Sequence, residues 1–237
     1  MLQGSYRQSK RCKIEIFDAP LARVSPLPLD EVHQLQSLKP CVSFDSRNLS
    51  LWSWNVRSLR KPGLPELLCS SLLSSKIDIA CLQDTRLSGS GTLEFQQYSI
   101  WFCGHSDANN GSPGGVAIAI SAKLVPSSYL LYCSDRLLLI RIRSKPFNIV
   151  VGFVYSPVDS SNNDESTFRE FWNNLRSAIK DLVRRDDLLI IGGDFNCRLS
   201  RKLVPSLIGD YVYHCSASAR SQYLTDFISE FNLAVSY

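Results

Sequence analysis

The chain has 237 residues, of which 44% are hydrophobic and 20% charged, ordinary figures for a soluble globular protein. That length supports one large domain or two small ones with a buried core, and no stretch approaches the roughly 18–20 apolar residues of a membrane span. With 26 Lys and Arg against 22 Asp and Glu, the formal charge is +4, a surplus that permits binding to a polyanion without requiring it.

Residues 1–47 read as a flexible leader. They contain Pro20, Pro26, Pro28 and Pro40, a basic cluster at Lys10, Arg11 and Lys13, and no sustained periodicity. The cluster is either a solvated tail or a nuclear-import or nucleic-acid-binding arm. The remainder, 48–237, reads as a single folded unit. Leu49 to Asn55 alternates like a strand, and Pro65 opens a helix whose apolar positions share one face. Ile77 to Leu82 is a buried strand. Further strands are expected at Tyr98–Cys103, Gly115–Ile120, Leu137–Ile142 and Phe147–Tyr155. Phe168, Phe171, Trp172, Leu175, Ile179, Leu182 and Val183 recur at spacings of three and four, which predicts an amphipathic helix over 166–184. Leu188 to Ile191 is another buried strand, Leu224 to Phe231 a last helix, and Ala234 to Tyr237 the start of a strand. Strands outnumber helices and several connections are short. An α/β sandwich of largely antiparallel sheets flanked by helices fits this pattern better than a doubly wound parallel sheet.

Eight cysteines, at positions 12, 41, 69, 81, 103, 133, 197 and 215, are scattered, with no CxxC pair and no zinc-finger histidine spacing. Cys81 lies in an apolar run and reads as a small core residue. No signal-peptide-like segment opens the chain. Reduced thiols and an intracellular protein are expected, with the nucleus open to it through the basic cluster.

Candidate chemistry sits where polar residues end apolar strands, because sites are built on loops held by a rigid scaffold. Asn55 follows Trp54, and its carboxamide could hold a phosphate oxygen or simply cap a turn. Asp84, in Gln83-Asp84-Thr85-Arg86, is placed to bind a hard cation or to start a turn. Tyr155 could donate its hydroxyl to a phosphate or stand half-buried with its tip in water. Gly192-Gly193-Asp194-Phe195-Asn196 is the most specific of the four. Two glycines permit close backbone approach, and Asp194 and Asn196, two apart, point the same way in an extended segment. An Asp held by an Asn suits activation of a water for in-line attack. Arg57, Arg60, Lys61 and Arg86 flank these positions and could contact nucleic-acid phosphates or remain solvated. Gly111-Ser112-Pro113-Gly114-Gly115 reads as a turn between strands rather than a phosphate loop.

In order and context, Trp54-Asn55, Leu82 to Arg86, Gly114-Gly115-Val116, Val154-Tyr155 and Gly193 to Asn196 resemble the endonuclease/exonuclease/phosphatase superfamily. Within it the chain resembles the apurinic-type endonuclease domain of non-LTR retrotransposons and their host-retained, craniofacial-development-protein-2-like relatives. The resemblance runs from about Leu49 to the last residue. It implies a four-layered α/β sandwich with the site at one edge of two facing sheets. It implies Mg²⁺, with Mn²⁺ as a substitute, held chiefly by Asp84 and helped by Asn55, with Asp194 and Asn196 completing the metal-facing set. Asp194 would deprotonate and orient the attacking water, Asn196 would fix Asp194, and Tyr155 would bind the scissile phosphate. DNA is the implied substrate, strand nicking the implied reaction, and a monomer the expected state.

Two departures from the family pattern carry consequences. The family has Glu where this chain has Asp84, which draws the carboxylate back by about 1.5 Å and implies weakened metal binding. The family's Ser-Asp-His run is absent: the histidines are His33, His105 and His214, and none follows an Asp. The resemblance therefore implies a sandwich lacking its last strands, with impaired activity. The alternatives are a catalytically inactive remnant that keeps some nucleic-acid binding, or another phosphoesterase of the superfamily acting on a phospholipid or inositol phosphate.

Overall fold

The computed structural model describes residues 12–16, 40–43, 49–104, 114–157, 165–199, 216–218 and 220–235. In chain order the strands are β1 (Cys12–Ile16), β2 (Val42–Ser43), β3 (Leu51–Asn55), β4 (Ile79–Gln83), β5 (Ser90–Glu94), β6 (Tyr98–Cys103) and β7 (Val116–Ser121). They continue with β8 (Ser128–Cys133), β9 (Leu137–Ile142), β10 (Ser144–Lys145), β11 (Ile149–Tyr155), β12 (Leu188–Asp194) and β13 (Leu233–Val235). The helices are α1 (Leu64–Ser74), α2 (Glu165–Leu182) and α3 (Ser221–Glu230).

Two sheets carry the architecture. One has six strands in the order β13-β1-β12-β11-β9-β8, the other five in the order β3-β4-β7-β6-β5. Three cores separate four layers. Between the sheets lie Ile79 and Cys81 of β4, Ile118 of β7, Ile140 of β9, and Val151, Phe153 and Tyr155 of β11. Outside the five-stranded sheet, α1 buries Leu68, Cys69 and Leu72 against Ala80, Leu82 and Ala117. Outside the six-stranded sheet, α2 and α3 cover Val150, Val154 and Ile191. The order is helix, sheet, sheet, helix, the α/β sandwich that the sequence pattern and the family resemblance imply.

The sheets are mixed rather than largely antiparallel. Among the described strands five pairings are parallel and five antiparallel. The physical reason is the position of the helices. A helix between two strands lets the second run parallel to the first, and α1 links β3 to β4 while α2 links β11 to β12. The α2 face forms where the sequence spacing predicts it, with Phe168, Phe171, Trp172, Leu175 and Ile179 buried. Trp172 stacks on Phe195, ring centroids 6.0 Å apart and planes 16° apart, so the helix pins the segment just after β12.

The leader expected to be flexible contributes β1 and β2. Strand β1 is parallel to both β12 and β13 and pairs Ile14 with Ile191 and Val235. Lys13 and Glu15 alternate with Ile14 and Ile16 there, a period of two that grouping Lys13 with the basic cluster conceals. Lys10, Arg11 and the prolines at 20, 26 and 28 lie outside the described residues, as do His33, His105 and His214.

The expectation of reduced thiols does not hold throughout. Cys103 of β6 and Cys133 of β8 form a disulfide, with Cα atoms 6.2 Å apart, which links the two sheets. The sequence spacing cannot announce this pair, because its members are 30 residues apart and meet only once the sheets face each other. Cys41, Cys69, Cys81 and Cys197 carry no disulfide, and Cys81 is buried as expected. Among the described residues no helix is long and apolar enough to cross a membrane.

Candidate active site

The proposed residues gather where β3, β4, β11 and β12 end together. Parallel pairing sets Asn55 beside Gln83 and Tyr155 beside Asp194. The two sheets approach closely at this end: a Cβ on Gly192 of β12 would lie 3.6 Å from Cys81 Sγ of β4. Tyr155 feels the charge of both Asp84 and Asp194, one from each sheet. Four positions scattered over the sequence thus become one site.

Asp194 is fully buried and closes β12. Its Oδ1 accepts the Asn196 backbone N–H at 2.8 Å, its backbone carbonyl accepts the Ser156 N–H at 2.8 Å, and the Asn196 side-chain amide donates to the Ser156 carbonyl at 2.8 Å. Asn196 sits in the left-handed region, φ 47°, which is how a residue two places on folds back to its Asp. The Asn196 main chain thus bonds Asp194, while its side chain reaches the end of β11. Gly193 makes this possible. It has φ 133°, and a Cβ there would stand 2.0 Å from the Val154 carbonyl oxygen, an approach only glycine allows.

Tyr155 is completely buried, and among the described residues its hydroxyl has no hydrogen-bond partner. The expectation of a half-exposed ring with a wet tip fails, because β11 lies in the middle of its sheet between β9 and β12. Burial, reinforced by Asp194 and Asp84, pushes the phenol well above its ordinary range. It is a neutral donor facing a negative site.

Asp84 is 5% exposed, with φ 51°. Both its oxygens are bound by Arg86: Nε donates to Oδ1 and Nη2 to Oδ2, each at 3.0 Å. Oδ1 also accepts the Gly114 N–H at 2.9 Å. Gly114 and Gly115 hold the loop from the other side, their carbonyls accepting the N–H groups of Arg86 at 2.8 Å and Thr85 at 3.2 Å. The two glycines thus serve Asp84 rather than forming a phosphate loop. Arg86, expected to be a DNA contact or a solvated charge, is paired with Asp84, with its side chain 34% exposed. Asn55 behaves as a turn cap, its Oδ1 accepting the Arg57 N–H at 3.0 Å, and Arg57 itself is exposed with φ 53°.

Arg136 escaped the sequence reading. It sits in the turn between β8 and β9, its carbonyl accepts the Tyr155 N–H at 2.8 Å, and its charge opposes that of the carboxylates at Tyr155. Only the pairing of Val154 with Leu137 brings that turn to the site, so no local signal could have found it.

The donor chemistry suits a hard cation. Asp84 and Asp194 supply carboxylate oxygens from two sheets and Asn55 an amide oxygen, and Gln83 Oε1, Thr85 Oγ1 and the Tyr155 hydroxyl are buried oxygens with no hydrogen-bond partner among the described residues. Among the described residues no group of three or more His, Cys, Asp or Glu gathers to cage a metal. The set fits an ion such as Mg²⁺, which is commonly held by one or two carboxylates together with substrate oxygens.

The pattern of the endonuclease/exonuclease/phosphatase family matches residues 52–230, and the chain belongs to that family. Craniofacial development protein 2 of Bos taurus is 26% identical over 162 residues, which are 67% of this chain and 26% of that protein. The Tragulus javanicus protein of the same name is 25% identical over 162 residues, 67% of this chain and 27% of its own length. The chain thus spans about a quarter of the length of the curated relatives it matches. Among solved structures, the endonuclease domain of TRAS1, a telomere-specific non-LTR retrotransposon, is similar at 17% identity and a TM-score of 0.47, covering 75% of this chain and 68% of that one. An AP endonuclease from Archaeoglobus fulgidus is similar at 22% identity and a TM-score of 0.42, covering 63% and 58%.

Burial raises the phenols of Tyr98 and Tyr132 as well as that of Tyr155. Protons held more tightly in the folded chain give stability that is complete below the unfolded phenol pKa of about 10 and is lost as the pH rises above it. Urea unfolding midpoints should therefore fall between about pH 9 and about pH 11. Tyr155→Phe should flatten that fall, and an unchanged slope would contradict the burial of its hydroxyl.

Proposed function

We propose that this chain hydrolyses phosphodiester bonds, with DNA strand nicking as its reaction and a divalent metal ion, Mg²⁺ or Mn²⁺, as its cofactor. The observation that carries the reading is the convergence of Asp194, its Asn196 brace and the neutral Tyr155 hydroxyl opposite Asp84. Family membership supports a phosphoester substrate. The arginines at the site, Arg86 and Arg136, and the exposed Arg57, Arg60 and Lys61 on the adjoining loop favour a polyanion such as nucleic acid.

In this mechanism Asp194, held by Asn196, takes the proton of an attacking water and aims it at phosphorus. Tyr155, kept protonated by burial, donates to a non-bridging phosphate oxygen. Asp84 and Asn55 would hold the metal, whose bound form supplies Lewis-acid stabilisation of charge on the phosphoryl oxygens. Arg136 offsets the two carboxylates so that an anionic substrate can approach.

The test compares a labelled DNA duplex, an inositol phosphate and a phospholipid vesicle as substrates, each with Mg²⁺ and with EDTA. Metal-dependent cleavage confined to DNA is expected. Turnover of the inositol phosphate or the lipid with intact DNA would move the chain to another phosphoesterase specificity. No turnover of any of them would leave a fold without the activity. Asp84→Glu, which lengthens the ligand, should lower the Mg²⁺ concentration needed for half-maximal rate, and no change would remove Asp84 from the metal site.

A further inference from the structure

The carboxylate assigned to the metal already holds a cation. Arg86 grips Asp84 fork to fork, with two bonds of 3.0 Å, and both residues adopt left-handed backbone conformations, φ 51° and φ 55°. Such conformations are strained for residues with a Cβ. They put the two side chains face to face across a single intervening residue, Thr85. The loop cannot easily relax away, because Gly114 and Gly115 bind it at Asp84, Thr85 and Arg86.

The two partners differ in access. The Asp84 side chain is 6% exposed, whereas that of Arg86 is 34% exposed. A buried carboxylate needs a positive partner in every state of the site, but the guanidinium can leave Asp84 without being stranded inside. A guanidinium is cationic at any ordinary pH, so Arg86 keeps its charge whether or not it holds Asp84. Nearby, Asp194 and Arg136 complete a set of two carboxylates and two guanidinium groups around the Tyr155 hydroxyl.

We propose that Arg86 is a displaceable internal counter-ion. It neutralises Asp84 until a divalent cation takes the carboxylate, and it then turns its fork to the phosphate of the bound substrate. A planar guanidinium that fits a carboxylate through two parallel bonds fits a phosphate equally well. Arg86 therefore competes with the metal in the resting protein and assists the substrate in the loaded one. This rests on the reading of Asp84 as a metal ligand, and it makes Arg86 a residue that gates the metal and then binds substrate, rather than half of a structural ion pair.

The experiment measures Mn²⁺ affinity of the whole chain by the electron paramagnetic resonance signal of the free ion, with no substrate present. It uses the native chain, Arg86→Gln, Arg86→Lys and Asp84→Asn, each checked for native circular dichroism. Arg86→Gln should bind Mn²⁺ about tenfold more tightly, a difference of about 1.4 kcal/mol. Arg86→Lys, which keeps the charge and loses the fork, should fall between. Asp84→Asn should bind least. With Mn²⁺ saturating, Arg86→Gln should also bind inorganic phosphate more weakly than the native chain, which loss of a structural ion pair would not cause. Equal Mn²⁺ affinity in the native chain, Arg86→Gln and Arg86→Lys, with Asp84→Asn impaired, would overturn the counter-ion role while leaving the metal reading standing. No Mn²⁺ binding by any of the four would overturn both.

Discussion

Asp194→Asn should slow DNA cleavage by about 10²–10⁴-fold, the usual contribution of a positioned general base. The substitution keeps the volume and an oxygen that can accept the Asn196 N–H bond of 2.8 Å, so the strand end should stay formed. What it removes is basicity, because an amide does not take a proton from water at neutral pH. Asn196→Ala should cost less, since Asp194 keeps its charge and the backbone N–H bond to it, while the amide bridge from Asn196 to the Ser156 carbonyl is lost. The double variant should be no slower than Asp194→Asn alone, because a brace has nothing to position once the base is gone. Rates that multiply, each loss independent of the other, would show that Asn196 acts on the substrate directly.

The largest expected change in stability lies away from the site. Arg141 of β9 is 2% exposed, and its Nη2 donates to Asp187 Oδ2 at 2.5 Å and to the Leu182 carbonyl at 2.8 Å. Burial alone would lower the Arg141 pKa; its hydrogen bonds with Tyr129 and Asp187 more than offset that. Asp187 also accepts the Arg184 N–H at 2.8 Å, so the pair fastens the end of α2 to the start of β12. Asp187→Ala would leave a guanidinium in the core without its counter-ion, at a cost of about 3–5 kcal/mol. For a domain of this size that is a fall in Tm of about 6–20 °C. Replacing both partners by apolar residues, Arg141→Met with Asp187→Leu, should recover much of the loss, because no stranded charge remains. A single variant as stable as the native chain would show that Arg141 is not buried as described.

What was legible in the sequence was what is local. Gly193 to Asn196 announces itself because one short segment contains the glycine that allows close approach, the base and its brace. The α2 face was readable because Phe168, Trp172, Leu175 and Ile179 repeat at the helical period. Strand β5, Ser90-Gly91-Thr92-Leu93-Glu94, was not, since it lies at an edge with mostly exposed residues and shows no apolar alternation. Strand β8 carries an irregularity between Leu130 and Tyr132 that breaks its period. Its partner β9 shows no such break and was found. At the site, Asp84 and Tyr155 could be picked out as polar ends of apolar strands, but their surroundings could not. The grip of Arg86 on Asp84 depends on two left-handed residues, and the arrival of Arg136 beside Tyr155 depends on the register of β9 with β11. Both are consequences of tertiary pairing that no residue-type pattern encodes.

The most direct test of the whole reading is the conversion of supercoiled plasmid to the open circular form by the native chain and by Asp194→Asn, with Mg²⁺ and with EDTA. The predicted result is nicking by the native chain with Mg²⁺ and not with EDTA, and none by Asp194→Asn above background. Nicking that persists undiminished in Asp194→Asn would place the chemistry elsewhere and contradict the site built on the end of β12.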